Sequence, residues 1–381
     1  MDETMEKENN VTNNIKIEDN YKTDDECDEI DQIPITTTTT KNALITTMLG
    51  PCEVYPHRVK VSIVGVGKVG MACAIAILMR KMASEICLFD KDGSKANAEA
   101  EDIQHAGIFL GNPLVTGTSD VSMLQKSTVV IITTPEKRFN EEPNVKDNLE
   151  IFRKIIPPIA KFVCNAVLLI VTEPVDVMSY IAYKFSKFPP NRVLGVGTLL
   201  DSARFKDLIS QKIGIAQSSI NCMSIGAQGS MSVPIWSSID VAGLKLRDIN
   251  PRMGEPDDPE KWYEVTEAIH QSDKILNEKK GEKGPNCWAV GICTAEIVDA
   301  VIRNTKIVLP VSTHIRNCSH GKEKDVYMSV PCVIGREGVH CTVRQKLTDQ
   351  EKLEVQACAD SIRNTLRECG ILQEIYEELE K

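Results

Sequence analysis

Residues 59–70 read VKVSIVGVGKVG, and the chain continues through MACAIAILMRKMAS to EICLFD, which closes on Asp90. The opening VKVSIVGVG is a largely apolar run, the pattern of a parallel strand buried on both faces. GVGKVG, Gly65 to Gly70, satisfies G-x-G-x-x-G. Alone, three spaced glycines are a weak signal. Here they close a strand and open the helix-like MACAIAILMRKM, and an acid ends the next strand 25 residues after Gly65. That context is the dinucleotide-binding fingerprint. Gly65 permits the tight turn, Gly67 lets the backbone approach a pyrophosphate, and Gly70 lets helix and strand pack closely. The helix start offers unpaired N–H groups and the positive end of its dipole to the phosphates. Asp90 is expected to bind the ribose hydroxyls and repel a 2′-phosphate, which favours NAD over NADP.

Outward from this unit, strand and helix patterns alternate. STVVIITT (127–134) and AVLLIVTEP (166–174) read as two more buried strands separated by the helix-like NLEIFRKIIPPIAKF (148–162), and RVLGVGT (192–198) as a further short strand. Such a rhythm predicts an α/β, doubly wound parallel sheet, a Rossmann domain, over about 58–197. From 198 to 381 the pattern is mixed α+β and is assigned to a substrate domain. LLDSARFKDLISQKI (199–213) reads as helix and INCMSIGA (220–227) as strand. PEKWYEVTEAIHQSDKILNEK (259–279) and the stretch from Thr348 read as amphipathic helices.

The 381 residues suffice for two packed domains. The net charge of −10 is concentrated at the start: residues 1–31 hold twelve acids against three lysines, leaving the other 350 residues near −1. A nearly neutral body offers no basic face to nucleic acid. No apolar run approaches the ~20 residues of a membrane span. The acidic start resembles neither a signal nor a transit peptide. Residues 1–40, with the threonine run Thr36–Thr40, are expected to be a disordered acidic tail, and 41–57 a short arm. The 13 cysteines lack metal-ligand or CxxC spacing. Most are expected to be buried thiols in a reducing cytoplasm, with no metal site.

GVGKVG, the acid at Asp90, TEPVD (172–176), LDSARF (200–205) and GxxGxxxVPxW ending at Trp236 together resemble the L-lactate dehydrogenase family, within the lactate/malate dehydrogenase superfamily. The resemblance runs from about Lys41 onward and includes FPPNRVLGVG (188–197), VAGLKL (241–246), WAVG (288–291) and YMSVPCVIG (327–335). It implies an NAD-dependent oxidoreductase acting on a small 2-hydroxy or 2-oxo acid, (S)-lactate and pyruvate in the family reaction. It also implies a homo-oligomer, a tetramer, with the 41–57 arm reaching a neighbouring subunit. Cofactor binding falls by resemblance to Gly65, Val66, Gly67, Lys68, Val69 and Gly70, to Asp90 and Thr133, and to Lys137 where the family usually has arginine. Asp201 matches the aspartate that orients the catalytic histidine. Arg204 matches the arginine that forks onto the substrate carboxylate.

Four departures stand against that pattern. Gln228, in GAQGS, occupies the histidine position of the family's GEHGD. A glutamine amide neither takes up nor releases a proton near neutral pH. Glu173 replaces the asparagine of NPVD, and Asn286, in GPNCW, replaces the threonine of YTSW. The loop PEKRFNEEPNVKDN (135–148) is about three residues short and lacks the arginine that polarises the substrate carbonyl; Arg138 is poorly placed for that role. Loss of the base costs ~10²–10⁴-fold in rate. Loss of the polarising cation costs roughly 10²–10³-fold more, without simple additivity. An anion at Glu173 opposes a carboxylate substrate. None of the six histidines lies in a segment matched to the site, and His314 and His340 read as structural or exposed.

Three readings remain open at this point. One is a cofactor-binding relative with weak or no lactate turnover. Another is a working 2-hydroxyacid dehydrogenase with rearranged groups. The last is a scaffold that no longer binds cofactor.

Overall fold

Six parallel strands in the order β3-β2-β1-β4-β5-β6 form one half of the sheet. They are β1 (Lys60–Val64), β2 (Glu85–Phe89), β3 (Leu114–Thr118), β4 (Val129–Ile132), β5 (Val167–Ile170) and β6 (Val193–Gly195). The computed structural model describes residues 59–135, 144–281, 284, 286–315 and 325–373. The expected tail and arm, and Lys137 and Arg138 of the loop, lie outside these residues. Every residue of β1, β4, β5 and β6 is buried, Lys60 and Ser62 of the otherwise apolar β1 included, as expected of strands covered on both faces. β1 pairs with β2 on one side (Val64↔Phe89) and β4 on the other (Val64↔Ile132). The strand order therefore reverses beside β1, and ligands of such sheets bind at the carboxyl ends flanking that switch point.

The sheet continues with antiparallel strands contributed by the second half of the chain. β7 (Ile220–Asn221), β10 (Asp240–Val241) and β11 (Leu244–Lys245) form a separate three-stranded sheet. β8 (Ser224–Gly226) and β9 (Ser232–Pro234) join the main sheet with β12 (Val308–Ile315), β13 (Val326–Gly335) and β14 (Gly338–Thr342). INCMSIGA is thus two strands in two sheets and not one. Cys222 and Met223 carry the chain from one to the other, and a local apolar pattern cannot reveal that change of partner. The expected helix from Pro259 begins at Tyr263. Asp258 holds the preceding turn, its carboxylate accepting from the N–H groups of Glu260 and Trp262 at 3.1 and 3.2 Å.

Helix Lys68–Met79 lies against helix Trp288–Ile302 with no room to spare, since a Cβ on Gly291 would stand 2.7 Å from the Ala72 backbone. That contact sets the loop before Trp288 over the glycine turn. Helix Asp349–Glu368 begins after Thr348 with a capping box. Thr348 accepts from the Glu351 N–H, and the Glu351 carboxylate accepts from the Thr348 N–H.

Candidate active site

A cavity of about 820 Å³ opens at the carboxyl ends of β1 and β4. One half is lined by Gly65, Gly67, Lys68, Val69, Gly70, Asp90 and Thr133, seven of the residues assigned to the cofactor. Gly65 has φ +105°, a conformation that favours glycine, and a Cβ on Gly70 would sit 1.9 Å from the Gly65 carbonyl oxygen. No side chain caps helix Lys68–Met79, whose N-cap is Gly67, and its first residues, Lys68, Val69 and Gly70, line the cavity. This is a cradle shaped for a pyrophosphate.

Val66 is not among the lining residues. Its side chain is buried in the core, and its backbone N–H donates to Asp90 Oδ2 at 3.0 Å. The N–H of Asp92 donates to Asp90 Oδ1 at 3.1 Å, so the acid is held from both sides where a ribose would lie. Thr133 buttresses the turn, donating from its hydroxyl to the carbonyls of Val64 and Gly65 at 3.1 and 2.9 Å. Lys68 Nζ donates to the Gly284 carbonyl at 2.8 Å and ties the glycine turn to the chain before Trp288.

Thr172, Glu173, Asn148, Gln228, Asp273 and Asn286 also line the cavity, and Asn277 lines it beside Gly284. Asn148, on helix Val145–Phe162, donates to the Glu173 carbonyl at 2.9 Å and fixes the turn after β5. Gln228 lies in the loop between β8 and β9, and two buried carboxylates hold that loop by its backbone. Asp176 accepts from the Gln228 N–H at 3.0 Å and Asp201 from the Gly229 N–H at 2.9 Å. Ser312 donates to Asp176 at 2.6 Å. Burial raises the pKa of each acid from 3.8 to about 6, because charge is costly away from water. Gln228 Oε1 is buried and accepts no hydrogen bond.

Asp201 and Arg204 share one face of helix Leu199–Ile213 and form an ion pair at 3.0 Å. Neither lines the cavity. Arg204 points its fork at Asp273, on helix Tyr263–Lys280: Nη2 donates to Oδ1 and Nη1 to Oδ2, the latter at 3.2 Å. Asn286 Nδ2 donates to the same Asp273 Oδ1 at 3.0 Å. The arginine expected to face a substrate is therefore covered by a carboxylate of the chain itself. Sequence reasoning missed Asp273, whose charge on an amphipathic helix reads as a solvated face. A signal was available in the polar stripe His270, Asp273, Asn277, spaced three and four apart.

No described histidine lines the cavity. His270 Nε2 bonds to the Ser232 carbonyl at 2.7 Å, and His314 Nε2 to Asp325 at 2.9 Å. His340 pairs with Lys306 at the surface, and His105 is exposed.

Comparison with known proteins agrees with this architecture. Residues 59–195 match the lactate/malate dehydrogenase NAD-binding domain, and residues 198–370 match the lactate/malate dehydrogenase alpha/beta C-terminal domain. The chain is 38% identical over 332 residues to an L-lactate dehydrogenase of Petromyzon marinus, covering 86% of this chain and 98% of the relative. It is 38% identical over 316 residues to the L-lactate dehydrogenase B-A chain of Danio rerio, covering 82% and 93%. It is equally 38% identical to the L-lactate dehydrogenase A chain of Ambystoma mexicanum over 313 residues, 81% of this chain and 93% of the relative. The glycine cradle and the held Asp90 fit NAD as the cofactor, in keeping with the matched domain.

Proposed function

The chain belongs to the lactate/malate dehydrogenase family, and from that premise we propose that it binds NAD(H) but turns over lactate and pyruvate weakly or not at all. When bound, NAD supplies the hydride acceptor. The chain must then add a base for the hydroxyl proton, a cation for the carbonyl oxygen and an anchor for the carboxylate. The wall facing the reacting position offers Gln228 and Glu173, and Arg204 stands behind Asp273. That wall is the observation that carries the reading. A neutral amide moves no proton. Glu173 and Asp273 both line this half of the cavity, where an incoming carboxylate would have to sit.

What this chain's residues do is hold a cofactor and shape the pocket beside it. The protein acts as a cofactor-responsive binding or assembly component, a homotetramer in the cytoplasm. The oligomer rests on the resemblance of 41–57 to an intersubunit arm, and the compartment on the cysteine usage. Among the described residues, no helix is long and apolar enough to cross a membrane.

The test pairs a fluorescence titration with NADH and an oxidation assay with pyruvate and a panel of 2-oxo acids. Binding without turnover is expected. Turnover of any panel member at an ordinary enzymatic rate points to the rearranged-site dehydrogenase. Absence of NADH binding points to the bare scaffold.

A further inference from the structure

We propose that Asp273 is an internal counter-anion that fills the carboxylate fork of Arg204, so that the pocket rejects small carboxylates and takes an uncharged, hydrogen-bond-donating ligand. The inference deepens the proposed function, because it names the ligand class of the same cavity beside NAD(H).

Three observations converge on it. First, both guanidinium nitrogens of Arg204 that a substrate carboxylate would engage are engaged by Asp273, and the remaining contact of Nη1 goes to Asp201 at 3.0 Å. The end-on fork is thereby filled, and Arg204 does not line the cavity, so a ligand carboxylate there does not take the place of Asp273 on it without displacing it. Second, the cavity wall at this place is made by Asp273 and Asn286 and not by Arg204. Asn286 donates to Asp273 at 3.0 Å, so Asp273 is held from two directions and displacing it breaks at least three polar contacts. At this place a carboxylate ligand meets the Asp273 carboxylate, and the described residues beside it, Asn286 and Gln228, add no cation.

Third, two acceptors among the described lining residues lack a donor. Gln228 Oε1 and Asn277 Oδ1 are buried acceptors with no hydrogen-bond partner, and both residues line the cavity. Glu173 adds a carboxylate to the lining. Buried acceptors left unpaired are costly, and a ligand carrying N–H or O–H groups relieves them. A carboxylate brings only acceptors to that wall. An amide or a polyol of two to four carbons brings the donors.

The decisive experiment compares L-lactate with L-lactamide, which share a skeleton and differ by one charge. Saturation-transfer NMR titrations use the full chain loaded with NADH, so that neither probe is oxidised. The wild-type protein is expected to bind lactamide at least about tenfold more tightly than lactate. Asp273→Asn frees the fork and should tighten lactate by about tenfold or more while lactamide changes by less than about threefold. Adding Arg204→Gln to that variant should abolish the gain. Lactate binding to wild type as tightly as lactamide overturns the proposal. So does an Asp273→Asn protein with wild-type melting and NADH affinity that gains nothing for lactate. Asp273→Ser serves if the asparagine variant does not fold. Failure of NADH to bind wild type sinks the cofactor reading alone. The same lactate and lactamide series on the cofactor-free chain then still reads the fork.

Discussion

The two halves of the cavity hold different kinds of information. At the glycine turn, function resides in backbone: a positive φ at Gly65, a missing Cβ at Gly70, and a helix start with no side-chain cap. At the opposite wall it resides in side-chain identity, and there Gln228, Glu173, Asn286 and Asp273 stand in positions where proton transfer and carboxylate binding need other groups. The backbone of that second half is nevertheless held firmly, with Asp176 and Asp201 pinning the loop that carries Gln228. On the proposed reading, the fold keeps the geometry of a reaction site while the side chains of one wall change. Asp201 illustrates the point. One of its oxygens takes the Gly229 N–H and the other takes Arg204, so it is satisfied without an imidazole beside it.

The largest effect belongs to the half built from backbone. Gly70→Ala places a Cβ 1.9 Å from the Gly65 carbonyl oxygen, a clash with main chain that no rotamer relieves. It should destabilise the fold by about 3 kcal/mol and abolish NADH binding, read by thermal melting and fluorescence titration. Wild-type behaviour of that variant would break the contrast, because the turn would then be tolerant and uninformative.

The next test concerns the side-chain half. Gln228→His alone should leave pyruvate reduction far below about 10 per second. The new ring would meet an Asp201 already paired with Arg204, and Arg204 itself covered by Asp273. Adding Glu173→Asn should improve turnover by more than the product of the two single effects, since both act on one transition state. Steady-state kinetics of the two single variants and the double variant measures that coupling. Efficient turnover by the single histidine variant would mean that the rest of the wall is harmless.

Asp90→Asn tests the cofactor half more gently. The carboxylate, held by the N–H groups of Val66 and Asp92, should favour NADH over NADPH. The substitution should narrow that preference by about tenfold, measured by paired titrations. Equal affinity of the wild type for the two cofactors would remove Asp90 from the account.

Smaller still is a pH effect from the two buried acids. Asp176 and Asp201 have folded-state pKa values raised to about 6, against 3.8 for the ordinary carboxyl. Between those values the folded chain binds protons that the unfolded chain does not. Their contribution therefore stabilises increasingly as pH falls from about 6 towards 4, and it is lost as pH rises through about 6. Asp176→Asn should flatten part of that slope in denaturant midpoints taken across the window. An unchanged slope would place Asp176 in an environment less dry than its burial implies.

Much of this was legible in the sequence, for identifiable reasons. β1, β4 and β5 are short apolar runs buried on both faces, and nothing competes with that pattern. The glycine turn was legible because only glycine meets its steric demands. INCMSIGA was misread as one strand because its two halves pair in different sheets, a tertiary fact without a local mark. The replacement at Gln228 could be seen by position, whereas the capture of Arg204 could not. Asp273 lies 69 residues further along, on another helix, and an acid on an amphipathic helix ordinarily faces water. Asp176 stood within a quoted motif, but its hold on the Gln228 backbone needed the fold to bring them together.

The central claim is that one half of the cavity works and the other does not. A single sample tests it most directly: full-length protein titrated with NADH by fluorescence, then mixed with excess pyruvate while the reduced cofactor is followed. The account predicts saturable binding in the micromolar range, with a Kd of about 10⁻⁶–10⁻⁵ M, followed by loss of NADH far slower than about 10 per second or none beyond the blank. Rapid, complete oxidation at about 10 per second or faster would contradict it, and would require another group to carry the proton.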